Sequence, residues 1–181
     1  MITTIFEHSV DLSLLPKRAF ILDLGCRGFE FTDYFDRFGH IVYPIDIDIL
    51  DRKDYYQFAI SDKSGNCGIE RSEDPQATKM KLGTGIEMHS IKSFSELVEV
   101  TEWDLIKMDI EGAEYDVLKN SKHPLAKMVS CEFHIHCGIQ TKDMIDNLLI
   151  KLQEYYEVHN WVLEERHGAG FNYWDILLIR K

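Results

Sequence analysis

The sequence has no C-x-x-C pair, no apolar run long enough to span a bilayer, no excess of basic residues and no G-x-G-x-x-G turn. The missing pair excludes zinc ribbons and thioredoxin-type redox chemistry. The four cysteines, Cys26, Cys67, Cys131 and Cys137, are therefore expected to be reduced thiols of a cytoplasmic protein. Apolar runs such as Ala19 to Leu22 and Ile176 to Ile179 fall far short of a membrane span. Met1 to Leu15 does not read as a signal peptide, because Glu7, His8 and Asp11 interrupt it and no basic start precedes it. Lys and Arg number 20 against 31 Asp and Glu, a formal charge of −11. Such a surface repels a phosphate backbone, so nucleic acid is not expected as a partner.

What is present is an ordinary globular mixture over 181 residues, 45% hydrophobic and 28% charged, expected to form one domain over 1–181. Strand-like apolar runs alternate with helix-like periodic segments, the pattern of an α/β sheet. Strands are expected at Ala19 to Leu24, Ile41 to Ile45, Tyr56 to Ile60, Trp103 to Met108 and Met128 to Phe133. Two more, about Tyr156 to Val162 and Asn172 to Arg180, are expected to join through a turn at Gly168 and Gly170. Phe31, Tyr34, Phe35 and Phe38 fall on one face of a helix that Gly39 stops. Ser93-x-x-Glu96 has the form of a capping box. A helix is also expected over Gly112 to Lys119, and Ile145, Leu148, Leu149, Leu152 and Tyr156 trace the stripe of the longest one. Between Asp62 and Ser90 the pattern weakens, and a flap or hairpin insertion is expected, with Met80 to Leu82 facing Ile86 to Met88.

The first candidate ligand turn is Asp23-Leu24-Gly25-Cys26-Arg27-Gly28. Gly25 and Gly28 let a ligand approach the backbone between a strand and its helix. Aspartate at position 23 would repel a pyrophosphate and favour a ligand bearing positive charge, such as the sulfonium and ammonium of S-adenosylmethionine. Asp46 lies 23 residues further on, where an acid hydrogen-bonds ribose in doubly wound sheets, and Asp48 competes for that role. Ser61 and Asp62 end the third strand, within reach of an adenine amino group.

The most specific stretch is Trp103 to Leu118, WDLIKMDIEGAEYDVL. Together with Asp23-Leu24-Gly25, Ala59-Ile60-Ser61-Asp62 and Glu132-x-His134 in matching order, it resembles the FkbM-type methyltransferase family from about Phe20 to Lys181. The resemblance implies an α/β, Rossmann-like methyltransferase sheet of seven strands, mostly parallel with the last strand antiparallel and helices on both faces. It also implies S-adenosylmethionine as methyl donor and a hydroxyl acceptor on a sugar, glycan or small metabolite. Two departures stand out. The first strand is expected only some 20 residues after Met1, in place of the family's N-terminal helical extension, and the second strand ends in Asp46-Ile47-Asp48 instead of an E-P ending.

Methyl transfer to a hydroxyl needs positioning and a base for the acceptor's proton. Asp109 ends a strand at the ligand crevice and is assigned to the methionine end of the cofactor or to the acceptor. Glu111 is a candidate base, whereas Glu114 in a first helical turn reads chiefly as a complement to the helix dipole. Alternation sends Glu132, His134 and His136 to one face. His134 is the preferred general base, oriented by Glu132; a metal held by Asp109, Glu132 and His134 is the lesser reading. The other histidines, His8 among them, are expected to be structural or solvated. Two alternatives stay open: a nicotinamide-dependent oxidoreductase on a similar sheet, and a non-catalytic cofactor-binding module.

Overall fold

A computed structural model describes residues 1–48, 50–71, 78–82, 88–135, 140–166 and 171–181. The chain opens with an antiparallel hairpin, β1 (Ile2–Ile5) and β2 (His8–Asp11). Phe6 and Glu7 turn it with φ of 45° and 74°. Next come β3 (Phe20–Leu24), α1 (Glu30–Arg37), β4 (Ile41–Asp46) and β5 (Tyr56–Gln57). A run of strands follows: β6 (Ala59–Ser61), β7 (Gly65–Arg71), β8 (Thr78–Leu82) and β9 (Met88–Ser93). The chain continues through α2 (Phe94–Val98), β10 (Trp103–Met108), α3 (Glu114–Asn120) and β11 (Ala126–His134). It ends with α4 (Lys142–Leu152), β12 (Tyr156–Arg166) and β13 (Phe171–Arg180).

Seven strands form the main sheet in the order β12-β13-β11-β10-β3-β4-β5. β13 runs antiparallel to both its neighbours, and the other pairings are parallel, so the expected sheet with its reversed last strand is present. From β3 the chain builds outward to β4 and β5, then returns to place β10 on β3's other side. That reversal opens a crevice at the carboxyl ends of β3 and β10, the usual place for a ligand in open α/β sheets.

Alternation along each strand divides the core in two. Ile21, Leu105, Met128 and Leu177 pack with Phe31 and Phe35 of α1 and with Ile5 and Val10 of the hairpin. Leu22, Leu24, Ile106, Met108, Val129 and Phe133 pack on the opposite face with Val117 of α3 and Ile145, Leu149 and Leu152 of α4. Helices thus cover both faces, each through an apolar stripe. Among the described residues no helix is long and apolar enough to cross a membrane.

Several local expectations need correction. Helix α1 ends at Arg37, and Phe38, though its ring packs on Tyr34 at 5.1 Å between centroids, is 61% exposed. The Ser93 side chain makes no cap; its Oγ pairs with Ser95 Oγ, and Glu96 accepts instead from Ser64. A side-chain cap does form at α4, where Thr141 Oγ1 accepts from the Met144 N–H at 3.3 Å. Tyr156 belongs to β12, not to α4, and its hydroxyl accepts from the Leu125 N–H at 2.6 Å.

The third strand divides at Phe58, whose N–H donates to the Asp46 carbonyl: Tyr56–Gln57 stays in the main sheet and Ala59–Ser61 starts another. This four-stranded sheet has the order β6-β9-β7-β8. The expected hairpin between Met80–Leu82 and Ile86–Met88 therefore does not pair as such, because β8 and β9 each hydrogen-bond to β7. Its turn at 83–87 lies outside the described residues, as does the turn at 167–170.

Candidate functional site

The crevice is built from the ends of β3, β4, β10 and β11. Register sets Lys107 of β10 directly beside Asp23 of β3. Both side chains point to the α1 face, and both are buried, at 4% and 0% exposure. Lys107 Nζ lies 3.3 Å from Asp23 Oδ1 and 3.4 Å from Asp109 Oδ2, and donates to the Gly25 carbonyl at 2.5 Å. Thr32 Oγ1 of α1 donates to Asp23 Oδ2 at 2.6 Å. Burial alone would depress the Lys107 ammonium, but Asp23 and Asp109 outweigh it and hold it protonated. Asp23 therefore does not stand open to a cation, as its place in the sequence suggests. Its charge is matched by a lysine already there, which in turn fixes Asp109.

Gly25 follows with φ of +77°, and a Cβ there would stand 1.7 Å from the Asp109 carbonyl oxygen. Only glycine permits that approach of the β3 turn to the β10 turn. Gly28 is different: the atoms nearest a Cβ there belong to the flexible carboxylate of Glu30. The Gly25 and Cys26 N–H groups both donate to the Ile45 carbonyl, which ties the turn to the end of β4. Asp46 ends β4 with 7% exposure, and its Oδ1 accepts from the Asp48 N–H at 2.9 Å. Burial raises the Asp46 carboxyl to about 6. Asp48 is buried beside it, 3.9 Å from Arg27. Ser61 Oγ donates to Asp62 Oδ1 at 3.1 Å, while Asp62 Oδ2 accepts from Asn120 of α3 at 2.9 Å.

On the other side of the crevice stands His134, the last residue of β11. Its Nδ1 donates to Glu114 Oε1 at 3.0 Å. Its Nε2 faces three further carboxylates: Asp109 Oδ1 at 3.5 Å, Glu132 Oε1 at 3.6 Å and Glu111 Oε2 at 3.8 Å. Burial would lower the imidazolium, but Glu114, Asp109 and Glu111 push it up to about 10. Burial would likewise raise Asp109, yet Lys107, His8 and His134 hold it well below the usual carboxylate range. At neutral pH His134 is therefore charged and has no lone pair to take a proton.

Orientation of the ring also differs from expectation. Glu114, not Glu132, holds Nδ1, and Glu114 does more than complement a helix. Fully buried, it accepts from the Ile110 and Gly112 N–H groups at 3.1 Å and so fixes the loop in which Glu111 has φ of 53°. Gln140 braces the same corner, donating to the Gly112 and His134 carbonyls at 3.3 Å. His136, expected on the same face, lies outside the described residues.

Two members of the site escaped the sequence reading. Lys107 could have been suspected as the lone cation in the otherwise buried strand Trp103–Met108. His8 could not: it is 3% exposed on β2, edge-on to Phe31, and its Nε2 reaches to 3.8 Å from Asp109 Oδ2. The hairpin carries it over the carboxyl end of the sheet instead of leaving it in solvent.

The strand order and reversed last strand define a Rossmann-like methyltransferase sheet. A family model described as the methyltransferase FkbM domain matches residues 37–168, and the chain belongs to that family. None of the curated protein sequences matches it. Among solved structures it is similar to a TehB-like SAM-dependent methyltransferase from Corynebacterium glutamicum ATCC 13032 Kitasato. That match has 17% identity and a TM-score of 0.46, covering 93% of this chain and 84% of that one. It is similar also to TrmK from M. capricolum in complex with S-adenosyl-homocysteine. Here the identity is 14% and the TM-score 0.49, with 93% of this chain and 65% of that one covered.

Proposed function

We propose that the chain transfers a methyl group from S-adenosylmethionine to a hydroxyl oxygen of a sugar, glycan or small metabolite. When bound, this cofactor supplies an electrophilic methyl group on a sulfonium centre. The observation that carries the reading is the surplus of negative charge around the crevice. Among the described residues, the five carboxylates Asp23, Asp109, Glu111, Glu114 and Glu132 cluster about Lys107 and His134. A low-dielectric cleft with that imbalance attracts a positively charged ligand and repels a pyrophosphate.

The residues fit the cofactor. Asp46 is a desolvated carboxylate with one oxygen committed to the Asp48 N–H, and ribose hydroxyls would donate to the other. Gly25 and Gly28 bring the turn backbone against the ligand, and Ser61 and Asp62 are assigned to the adenine edge. Asp109 receives the ammonium of the methionine end, with Lys107 and Asp23 behind it as positioning residues.

The acceptor is assigned to the opposite wall. Asp109, with its depressed pKa, is a weak base, which leaves Glu111 and Glu132. Glu111 sits on the positive-φ turn with 26% of its side chain open, and we assign it the acceptor's proton. Glu132 and the His134 imidazolium would hold the acceptor oxygen. The bound cofactor would supply the methyl group, its carbon–sulfur electron pair leaving on sulfur, and Glu111 would take the acceptor's hydroxyl proton.

Incubation with methyl-labelled S-adenosylmethionine and a panel of hydroxylated sugars, glycans and small alcohols tests this. Label is expected in an alkali-stable methyl ether, and Glu111→Gln is expected to slow its formation about 100-fold or more. Label appearing on nitrogen, or on no member of the panel, would contradict the assignment.

A further inference from the structure

We infer that His8 is a positioning residue for the cofactor's methionine end: delivered by the N-terminal hairpin, it braces Asp109 from a third element. Its consequence for binding rests on the assignment of the cofactor ammonium to Asp109. Lys107 reaches that carboxylate from β10 itself and His134 reaches it from β11, whereas His8 belongs to β2. Lys107 Nζ and His8 Nε2 both approach Oδ2, at 3.4 and 3.8 Å, and His134 Nε2 approaches Oδ1 at 3.5 Å.

The hairpin is firmly seated. Ile5 and Val10 pack in the core with Phe31 and Phe35, and Ser9 Oγ donates to Asp175 Oδ2 of β13 at 2.8 Å. Asp175 pairs in register with Glu132 of β11, so this anchor stands beside the wall assigned to the acceptor. His8, the neighbour of Ser9, is thereby fixed with its ring edge-on to Phe31. One donor atom each from His8, Asp109 and Glu132 lie within 4.8 Å of one another, so the ring adjoins a carboxylate from each half of the crevice.

Packing does not account for a histidine here. The ring is buried, and its Nδ1 has no hydrogen-bond partner among the described residues, which costs stability that an apolar side chain of similar size would not. The chemistry of Nε2 does account for it. At 3.8 Å the pair is within ion-pair reach but longer than a hydrogen bond. Active-site hydrogen bonds are often long before a ligand binds and tighten in the complex. His8 also helps to keep the Asp109 carboxyl well below the usual carboxylate range, and so anionic for an ammonium.

Calorimetric titration of the full chain with S-adenosylmethionine, with thermal melting alongside, tests the role. His8→Leu removes both the donor and the unsatisfied nitrogen. It is expected to bind the cofactor about 10-fold more weakly with an unchanged or raised melting temperature. His8→Gln places an amide N–H near the position of Nε2 and should recover most of the affinity. His8→Asn, whose amide matches Nδ1, should not, and this pair decides should His8→Leu fail to fold. A histidine that serves packing alone predicts the opposite for His8→Leu: a lower melting temperature with affinity retained. The link to Asp109 is read without cofactor, from urea denaturation of His8→Leu, Asp109→Asn and the double variant. Their effects on the unfolding equilibrium constant should depart from a simple product by about 3-fold or more. A simple product, wild-type affinity in His8→Leu, or a Gln variant no better than Asn would overturn the inference. No heat with the wild type would contradict the methyl-donor reading instead, and the denaturation cycle still decides whether His8 braces Asp109.

Discussion

Lys107 and Asp23 sit side by side in adjacent parallel strands, Nζ to Oδ1 at 3.3 Å, both buried beneath the ligand crevice. Lys107 also reaches Asp109, so one ammonium neutralises two carboxylates from two strands. Replacing it with a neutral chain of similar volume leaves both acids facing each other without compensation. Lys107→Met is expected to destabilise the fold by about 3–5 kcal/mol, read from urea denaturation. A loss below about 1 kcal/mol would show that solvent reaches and screens the pair.

The two glycines of the β3 turn are expected to behave differently. Gly25→Ala adds a Cβ against the Asp109 carbonyl at a positive φ, and should abolish cofactor binding together with a fall in stability. The atoms nearest a Cβ in Gly28→Ala are those of the Glu30 side chain, which can swing away, so stability should stay nearly unchanged while cofactor affinity falls. Calorimetric titration and thermal melting of the two variants separate these outcomes. Equal losses of stability would contradict the close approach.

Asp46 links pH to both stability and binding. Its folded pKa of about 6 lies above the ordinary carboxylate value of 3.8, so the protonated form is favoured in the native state. The stability this confers is complete below about pH 4 and is lost as pH rises through about 6. At neutral pH Asp46→Asn should therefore stabilise the fold, by about 1–3 kcal/mol, while weakening affinity for S-adenosylmethionine. In the wild type, affinity should weaken as pH falls below about 6 and the ribose acceptor is protonated. Denaturation and titration across pH 5 to 8, both flat in the wild type, would contradict this account.

Glu114 holds the loop that presents Glu111. With Glu114→Gln, the Ile110 and Gly112 amides lose a charged acceptor, a change of about 1.5–3 kcal/mol in local stability. Hydrogen exchange at those two amides should accelerate about 10- to 100-fold, with slower turnover alongside. Unchanged exchange would mean the turn is held by its backbone alone.

The main sheet was legible because its strands are apolar runs ended by acids or glycine, and α4 because its stripe keeps strict helical spacing. Asp109, Glu132 and His134 could be grouped because β10 and β11 are adjacent and alternation fixes which face His134 shares with Glu132. Partnerships across the sheet were not legible. Nothing local tells that Lys107 falls in register with Asp23, so Asp23 read as an open acid. The ring orienter was misassigned for the same reason, since Glu114 reaches His134 from a different element. His8 was missed because Phe6 and Glu7 make a positive-φ turn without glycine, hiding a hairpin whose strands are only four residues each. The break at Phe58 follows from its backbone bond to Asp46, a long-range contact with no local signature.

The central claim is that this crevice binds a cationic methyl donor with its ribose on Asp46. Calorimetric titration of the full chain with S-adenosylmethionine, and of Asp46→Ala in parallel, tests it most directly. The account predicts a single saturable site in the wild type and an affinity at least about 10-fold weaker in the variant. No heat with S-adenosylmethionine, or equal affinity in both proteins, would contradict it.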